Sequence, residues 1–180
     1  MGAVALLLGG PLVPDRARAQ QPGESQAKAT YVLWFAQNAL WRNEDFSSNN
    51  APLVIGILGD SPFEKKEIET LKSSSIQKRK VEVKFLGSVE EVEGCHILFI
   101  ASSEKRRLAQ TLQPLKDRRI LTISDIEGFT QEGGVASVVI KQIGVTKSKP
   151  VPNVSKEAAT RVGLEFSPTL YAAVSKLRAN

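Results

Sequence analysis

The stretch Gly94–Glu104, GCHILFIASSE, decides the fold class of this chain. A small polar turn leads into a run of mostly apolar, β-favouring residues, which ends at a Ser-Ser pair and a basic helix start. A continuous apolar run of this length is typical of a strand that is buried on both faces, as in a parallel sheet covered by helices. The stretch therefore predicts an α/β protein, with Ser102 and Ser103 in the loop at the carboxyl end of the strand.

The segments on either side of this strand alternate between strand and helix. Apolar or β-branched runs predict strands at 53–58, 81–86, 96–100, 120–123 and 135–143, with an extended piece through 154. Helical spacing predicts helices at 27–41, 63–73, 104–115, 155–162 and after Ser167, with a short turn at 88–93 capped by Ser88. Alternating strands and helices form right-handed parallel crossovers. We predict a three-layer, flavodoxin-like, mostly parallel sheet with a C-terminal strand pair at its edge.

The N-terminus has the pattern of a signal peptide. The apolar run at 3–13 is too short to span a bilayer, which needs about 20 residues. Small residues at Ala17 and Ala19 form the A-x-A pattern that signal peptidase cleaves. We predict a signal peptide at 1–19, cleavage between Ala19 and Gln20, a polar leader at 20–26 and a single domain at 27–180.

Composition and charge argue against several classes of function. The chain has 180 residues and a net charge of +5, but its basic residues are dispersed, whereas a nucleic-acid binder gathers them on one face. With one cysteine, Cys95, no internal disulfide can form, and its place at the start of a buried strand predicts an inert thiol. His96 follows on the opposite face of the strand, so neither a Cys-His dyad nor a zinc site is expected.

Polar residues at the strand ends are the candidate ligand site. In an open parallel sheet, ligands bind beyond the carboxyl ends of the strands, where Asp60, Ser61, Ser102, Ser103 and Asp125 are predicted to lie. These residue types are also common helix caps and turn formers. We favour the capping role over ligand binding, and both remain open. Asp60 and Asp125 could also form the acid pair of an enzyme, which is a separate hypothesis. The sequence contains no GxSxG elbow, P-loop or GxGxxG motif.

The predicted first helix carries the candidate partner-binding residues. No charge occurs between Lys28 and Arg42, and the aromatic side chains of Trp34 and Trp41 share one stripe with Tyr31. A helix this apolar packs heavily against a core or meets a partner. Core packing is the favoured interpretation. The alternative, contact with a partner, predicts an exposed apolar patch around Trp34 and Trp41.

Several motifs together resemble the YfiR-like family of periplasmic proteins. The first is the YxxxFAxxxxxW pattern that begins at Tyr31 and ends at Trp41. The others are IGILGDSPF at 55–63, GCHILFI at 94–100, LTISD at 121–125 with the glycines at 128 and 133–134, and the closing Gly163-Leu164 with the helix after Ser167. The match follows the same order along nearly all of the predicted mature chain.

The resemblance implies a small periplasmic α/β regulator without enzymatic activity or cofactor. Its expected partner is an inner-membrane sensor, a diguanylate cyclase or a histidine kinase, whose activity it modulates by direct contact. In the type member an outer-membrane lipoprotein captures the regulator, and a homodimer is a further expectation. The alternative is a small-ligand-binding protein that uses the crevice at the strand carboxyl ends.

Overall fold

The computed structural model describes residues 22–143 and 147–179. The predicted signal peptide and the cleavage site at Ala19 and Gln20 lie outside the described residues. The described helices are α1 (Pro22–Asn38), α2 (Lys65–Ser73), α3 (Leu108–Leu112), α4 (Lys156–Arg161) and α5 (Pro168–Ala179). The described strands are β1 (Leu53–Leu58), β2 (Ser75–Ile76), β3 (Arg79–Leu86), β4 (Ile97–Ile100), β5 (Leu121–Ser124), β6 (Ala136–Ile143) and β7 (Lys147–Val154).

The strands form one mostly parallel sheet in the order β2-β3-β1-β4-β5-β6-β7. β1 lies parallel between β3 and β4, so that Ile57 is flanked by Phe85 and Phe99. β4 pairs parallel with β5, and β5 pairs parallel with β6. Only the outer pairs, β2–β3 and β6–β7, are antiparallel among the described strands. The predicted mostly parallel sheet, with a C-terminal strand pair at its edge, is confirmed.

Buried side chains from the central strands alternate between two hydrophobic clusters. Ile55 and Ile57 of β1 pack in a cluster with α1, α2, α4 and α5, and Val54 and Leu58 pack in a second cluster with α3. Period-two alternation sends successive side chains to opposite faces of the sheet, so both faces are covered. Each fully buried Ile or Leu contributes about 1.5–3 kcal/mol to folding, which is why these strands are apolar throughout.

Gly56, in the middle of β1, is required by close packing. A Cβ at this position would lie 2.9 Å from Leu86 Cδ1 and 3.0 Å from Cys95 Sγ. The missing side chain therefore lets the Leu86 and Cys95 side chains pack directly over the central strand.

The helix predicted at 104–115 is largely replaced by tighter turns. Ser102–Arg107 and Gln113–Leu115 are 3-10 helices, and only Leu108–Leu112 between them is α-helical. Pro114 has no N–H to donate to a carbonyl four residues back, which ends the α-helix early. The predicted cap of the 88–93 turn was also wrong. Ser88 makes no cap hydrogen bond, and Glu91 instead accepts one from the Gly87 N–H at 3.3 Å.

α1 differs from its predicted bounds at both ends. It begins at Pro22, so most of the predicted polar leader is helical, and Ser25 is only 1% exposed. It ends at Asn38 rather than Trp41, because Ala39 forms a β-bridge with Phe166. The Leu40 N–H then donates to the Glu165 carbonyl at 2.8 Å. Pairing with this distant segment draws the chain out of the helix three residues early.

Candidate functional site

The loops that follow β1 and β4 meet at the carboxyl end of the sheet. The Asp60 N–H donates to Ser103 Oγ at 2.8 Å. Gly59 adopts φ +85°, and a Cβ there would lie 2.5 Å from the same oxygen, so the approach depends on glycine. The side chains of Asp60, Ser102 and Ser103 remain exposed. Two of the three strand-end loops that carry the candidate ligand residues therefore lie together.

A crevice of about 180 Å³ opens beside these loops, at the point where the strand order reverses. Leu58, Ser88, Glu104 and Arg107 are among the residues that line it. The Glu104 carboxylate accepts two hydrogen bonds from Arg107, at 2.6 and 2.9 Å, although its side chain is only 4% exposed. A carboxylate of the chain itself thus lines this crevice and is already paired with a guanidinium.

Asp125, after β5, is held away from solvent by the first helix. Its Oδ2 lies 2.8 Å from Lys28 Nζ, and both side chains are more than nine-tenths buried. Asp125 Oδ1 has no hydrogen-bond partner. No hydrogen bond or ion pair joins Asp125 to Asp60 in the described part of the chain. The structure therefore uses this carboxylate to fasten α1 to the end of β5.

The remaining strand-end hydroxyls shape the loops around them. Ser61 Oγ accepts from the Phe63 N–H at 3.1 Å. Ser124 Oγ accepts from the Ile126 N–H at 3.0 Å and donates to the Ile100 carbonyl at 2.6 Å. In these contacts Ser61 and Ser124 act as turn formers, which is the role that we favoured from the sequence.

The opposite end of the sheet holds an aromatic cluster that the sequence did not predict. The His96 ring stacks on Phe46 with centroids 4.5 Å apart, and Trp41 packs edge-on against both rings. The Arg79 guanidinium lies over the Phe46 ring, with its central carbon 3.6 Å from the ring centroid. Trp41 and Phe46 lie in the segment after α1, His96 directly precedes β4 and Arg79 begins β3, so no local motif signals the cluster.

Hydrogen bonds define the protonation state of His96. Its Nδ1 lies 3.1 Å from the Val54 backbone nitrogen, which can only donate, so Nδ1 is the acceptor. Its Nε2 lies 3.0 Å from the Asp45 carbonyl and is therefore the donor. Burial lowers the pKa of His96 and outweighs the opposing effect of Asp45. The imidazole is thus a neutral link between β1 and the 43–45 turn.

An ion pair fastens the same turn to the start of β5. The Asp45 carboxylate accepts hydrogen bonds from the Arg119 guanidinium and from the Arg42 N–H. Burial opposes ionisation of this carboxyl, but these bonds prevail and lower its pKa. Arg119 also donates to the Leu40 carbonyl at 3.3 Å. Arg119 therefore ties the 43–45 turn and the segment after α1 to the residues that precede β5.

The two candidate partner-binding residues are each half-buried, and an exposed leucine lies between them in sequence. The Trp41 indole N–H donates to the Ala36 carbonyl at 2.8 Å, and Trp34 packs edge-on against Tyr31 with centroids 5.5 Å apart. Leu40 lies between them in sequence and is 49% exposed. We call Trp34, Leu40 and Trp41 the helix-end surface. No sequence pattern singles out Leu40, because its exposure follows from the early end of α1.

The described residues contain neither a group of metal ligands nor a membrane-spanning helix. Within them, no three or more His, Cys, Asp and Glu side chains are grouped so that they could hold a metal ion. None of the described helices is long and apolar enough to cross a membrane. Cys95 is buried, and its burial raises the pKa of the thiol, which suits a packing role better than a reactive one.

The fold is that of a mixed α/β protein, and ion pairs within the chain lie at both ends of its sheet. The model of the YfiR/HmsC-like family matches residues 25–172, and the chain belongs to this family. The resemblance that the motifs carried is thereby confirmed. No curated protein matches the chain.

Proposed function

We propose that this protein is an exported periplasmic regulator without enzymatic activity, which modulates an inner-membrane sensor by direct contact. The sensor is a diguanylate cyclase or a histidine kinase. The observation that carries the proposal is the family match over residues 25–172, which spans almost the whole described domain. The family is regulatory and non-catalytic. The proposed fold type is the three-layer flavodoxin-like one, supported by the two clusters on opposite faces of the sheet.

The helix-end surface is the proposed contact with the sensor. Trp34 and Trp41 are half-buried, so they are held in place by packing while part of each ring faces solvent. Leu40 adds an exposed apolar side chain whose backbone is fixed by Glu165 and Arg119. Aromatic side chains on a rigid support are the usual anchors of protein interfaces, because little conformational entropy is lost on binding. An outer-membrane lipoprotein and a second copy are further proposed partners.

The test of this function is deletion and complementation in the cell that makes the protein. If the sensor is a diguanylate cyclase that the protein restrains, deletion raises cyclic-di-GMP, and the full-length chain restores the original level. If it is a histidine kinase, phosphorylation of the sensor changes instead.

The matched control is a chain that lacks residues 1–19 and stays in the cytosol. We expect it to restore neither readout. Restoration by this cytosolic chain, or the absence of any change in both readouts on deletion, contradicts the proposal.

A small-ligand-binding function is the second candidate, supported by the meeting of Asp60 and Ser103 at the switch point and by the adjoining crevice. A ligand at about 100 times its Kd stabilises the folded state by about 2.7 kcal/mol, which a thermal melt detects. We expect any metabolite that raises the melting temperature to lose its effect in Ser103→Ala. Binding that is unchanged in this variant places the ligand elsewhere.

A further inference from the structure

The last two strands project beyond the carboxyl end of the sheet. β5 ends at Ser124, opposite Ser137 of β6, and β1 and β4 end level with it. β6 continues to Ile143 and pairs with β7 throughout. Residues 138–143 and 147–152, which we call the hairpin arm, therefore pair only with each other among the described strands. At about 3.3 Å per residue, the arm extends about 20 Å past the other strands.

The hairpin arm concentrates positive charge. No Asp or Glu occurs between Glu132 and Glu157, whereas this stretch contains four lysines, three of them on the arm. Lys141 lies 3.7 Å from the exposed carboxylate of Glu127. In the described part of the chain the other two, Lys147 and Lys149, form no ion pair. The arm is therefore a strongly cationic part of a chain whose net charge is +5.

The register of the hairpin gathers these lysines on one face. Lys141 is directly opposite Lys149, and Ile143 is directly opposite Lys147. Side chains that are directly opposite, or two apart on one strand, point to the same side of a sheet. One face of the arm thus carries three ammonium groups and Ile143, and the other face carries no charged residue. Like charges directly opposite each other destabilise a strand pair, so strand pairing does not account for this arrangement.

Ile143 distinguishes two explanations of the cationic face. Lysines on open strands protect them from pairing with other chains. That role does not explain Ile143, which is 48% exposed on the same face, because an exposed apolar side chain at an open edge favours such pairing. An apolar side chain surrounded by lysines is instead typical of an interfacial membrane anchor. The apolar group enters the boundary of the acyl chains, and the long lysine side chains keep their ammonium groups among the headgroups.

We infer that the hairpin arm docks on a membrane surface that is rich in anionic lipids. Lys141, Lys147 and Lys149 lie at the level of the lipid phosphates, and Ile143 enters the boundary with the acyl chains. A projecting tip meets a flat surface but encloses no small molecule, which favours a membrane as the partner. Three lysines give a weak, reversible contact that salt screens. The inference goes beyond the proposed sensor contact and does not depend on it.

Co-sedimentation of the purified exported chain with lipid vesicles tests the inference. We expect binding to vesicles of equal parts phosphatidylglycerol and phosphatidylcholine, no binding to phosphatidylcholine alone, and weaker binding as salt is raised. Each lysine near an anionic surface contributes about fivefold to the partition coefficient, so Lys147→Gln combined with Lys149→Gln should lower it about 25-fold.

The matched control is Lys66→Gln combined with Lys72→Gln. It removes the same charge from two exposed lysines of α2, outside the arm. We expect it to change the partition coefficient by less than about twofold, because these charges do not approach the membrane. Both double variants should keep the melting temperature of the unaltered chain, since the substituted side chains are not part of the core.

Ile143→Ser tests the apolar contact and decides the outcome if the double variant of the arm fails to fold. We expect it to lower the partition coefficient at least about threefold and to leave binding to dextran sulfate, a soluble polyanion, unchanged. An unaltered chain that does not bind the anionic vesicles, equal losses in the two double variants, or normal vesicle binding by Ile143→Ser overturns the inference. None of these results bears on the cellular test of sensor regulation.

Discussion

Different side-chain contacts link the surrounding segments to the carboxyl end and to the amino end of the central strands. At the carboxyl end, the ion pair of Lys28 with Asp125 joins α1 to the end of β5, and Glu104 pairs with Arg107 of its own 3-10 helix. At the amino end a neutral histidine, His96, links β1 to the 43–45 turn within an aromatic cluster, beside the ion pair of Asp45 with Arg119. α1 joins the two ends, since Lys28 is in its second turn and Trp41 follows its last.

This difference bears on where a small ligand or a protein partner would bind. The carboxyl end is where open parallel sheets usually bind ligands, but here two of its carboxylates are already engaged within the chain. The half-buried aromatic side chains instead lie along α1 and just after it, near the amino end. The apolar anchors that we propose for a protein partner therefore lie away from the edge that a small ligand would use.

The largest expected effect comes from breaking the buried ion pair. Lys28→Ala leaves the Asp125 carboxylate buried without its cation, which typically costs about 3–5 kcal/mol. Urea denaturation should show this loss in the free energy of unfolding. The control is Lys28→Met combined with Asp125→Leu, which removes both charges and should recover most of the stability. A single variant as stable as the unaltered chain would show that the carboxyl end is not held by this pair.

A smaller loss is expected from the ion pair at the amino end. Arg119→Ala leaves the 6% exposed Asp45 side chain with only the Arg42 N–H as donor, which we expect to cost about 1–3 kcal/mol. Urea denaturation measures this as well, and Arg42→Ala, which keeps the backbone donor and removes an exposed side chain, is the control. Equal effects of the two substitutions would mean that the Arg119 contact does not fasten the turn.

The smallest of the three stability effects is a dependence on pH. Folding lowers the pKa of His96, so the unfolded chain binds a proton more readily than the folded one. The contribution of neutral His96 is fully present above its ordinary pKa of about 6.5 and is lost as pH falls through that value towards the lower folded pKa. The Val54 hydrogen bond at stake is worth about 1 kcal/mol.

Denaturation of the unaltered chain at pH values from about 7 to 5 measures this slope, and His96→Phe should lack it. The lowered pKa of Asp45 has the same sign, but its contribution is lost only below its ordinary value of 3.8, outside this range. A slope that persists in His96→Phe would assign the titration to another group.

The sequence predicted the central sheet well because burial on both faces leaves a local signal. The bounds of β1 match the predicted 53–58, and the parallel order follows from alternation of strands and helices. The contacts that close the site leave no such signal. Lys28 and Asp125 are 97 residues apart, so no local motif marks their contact. His96 reads as an isolated strand residue until Phe46 is brought to it from a distant loop.

Leu40→Asp, compared with Leu177→Asp, tests most directly the claim that this protein acts by contact through the helix-end surface. Both leucines are exposed, at 49% and 39%, so either change should alter stability by no more than about 0.5 kcal/mol. Each variant is expressed in the deletion strain, and the sensor output is measured as cyclic-di-GMP or sensor phosphorylation. We predict that Leu177→Asp restores regulation and that Leu40→Asp, although folded and exported, does not. Full restoration by Leu40→Asp would contradict the claim.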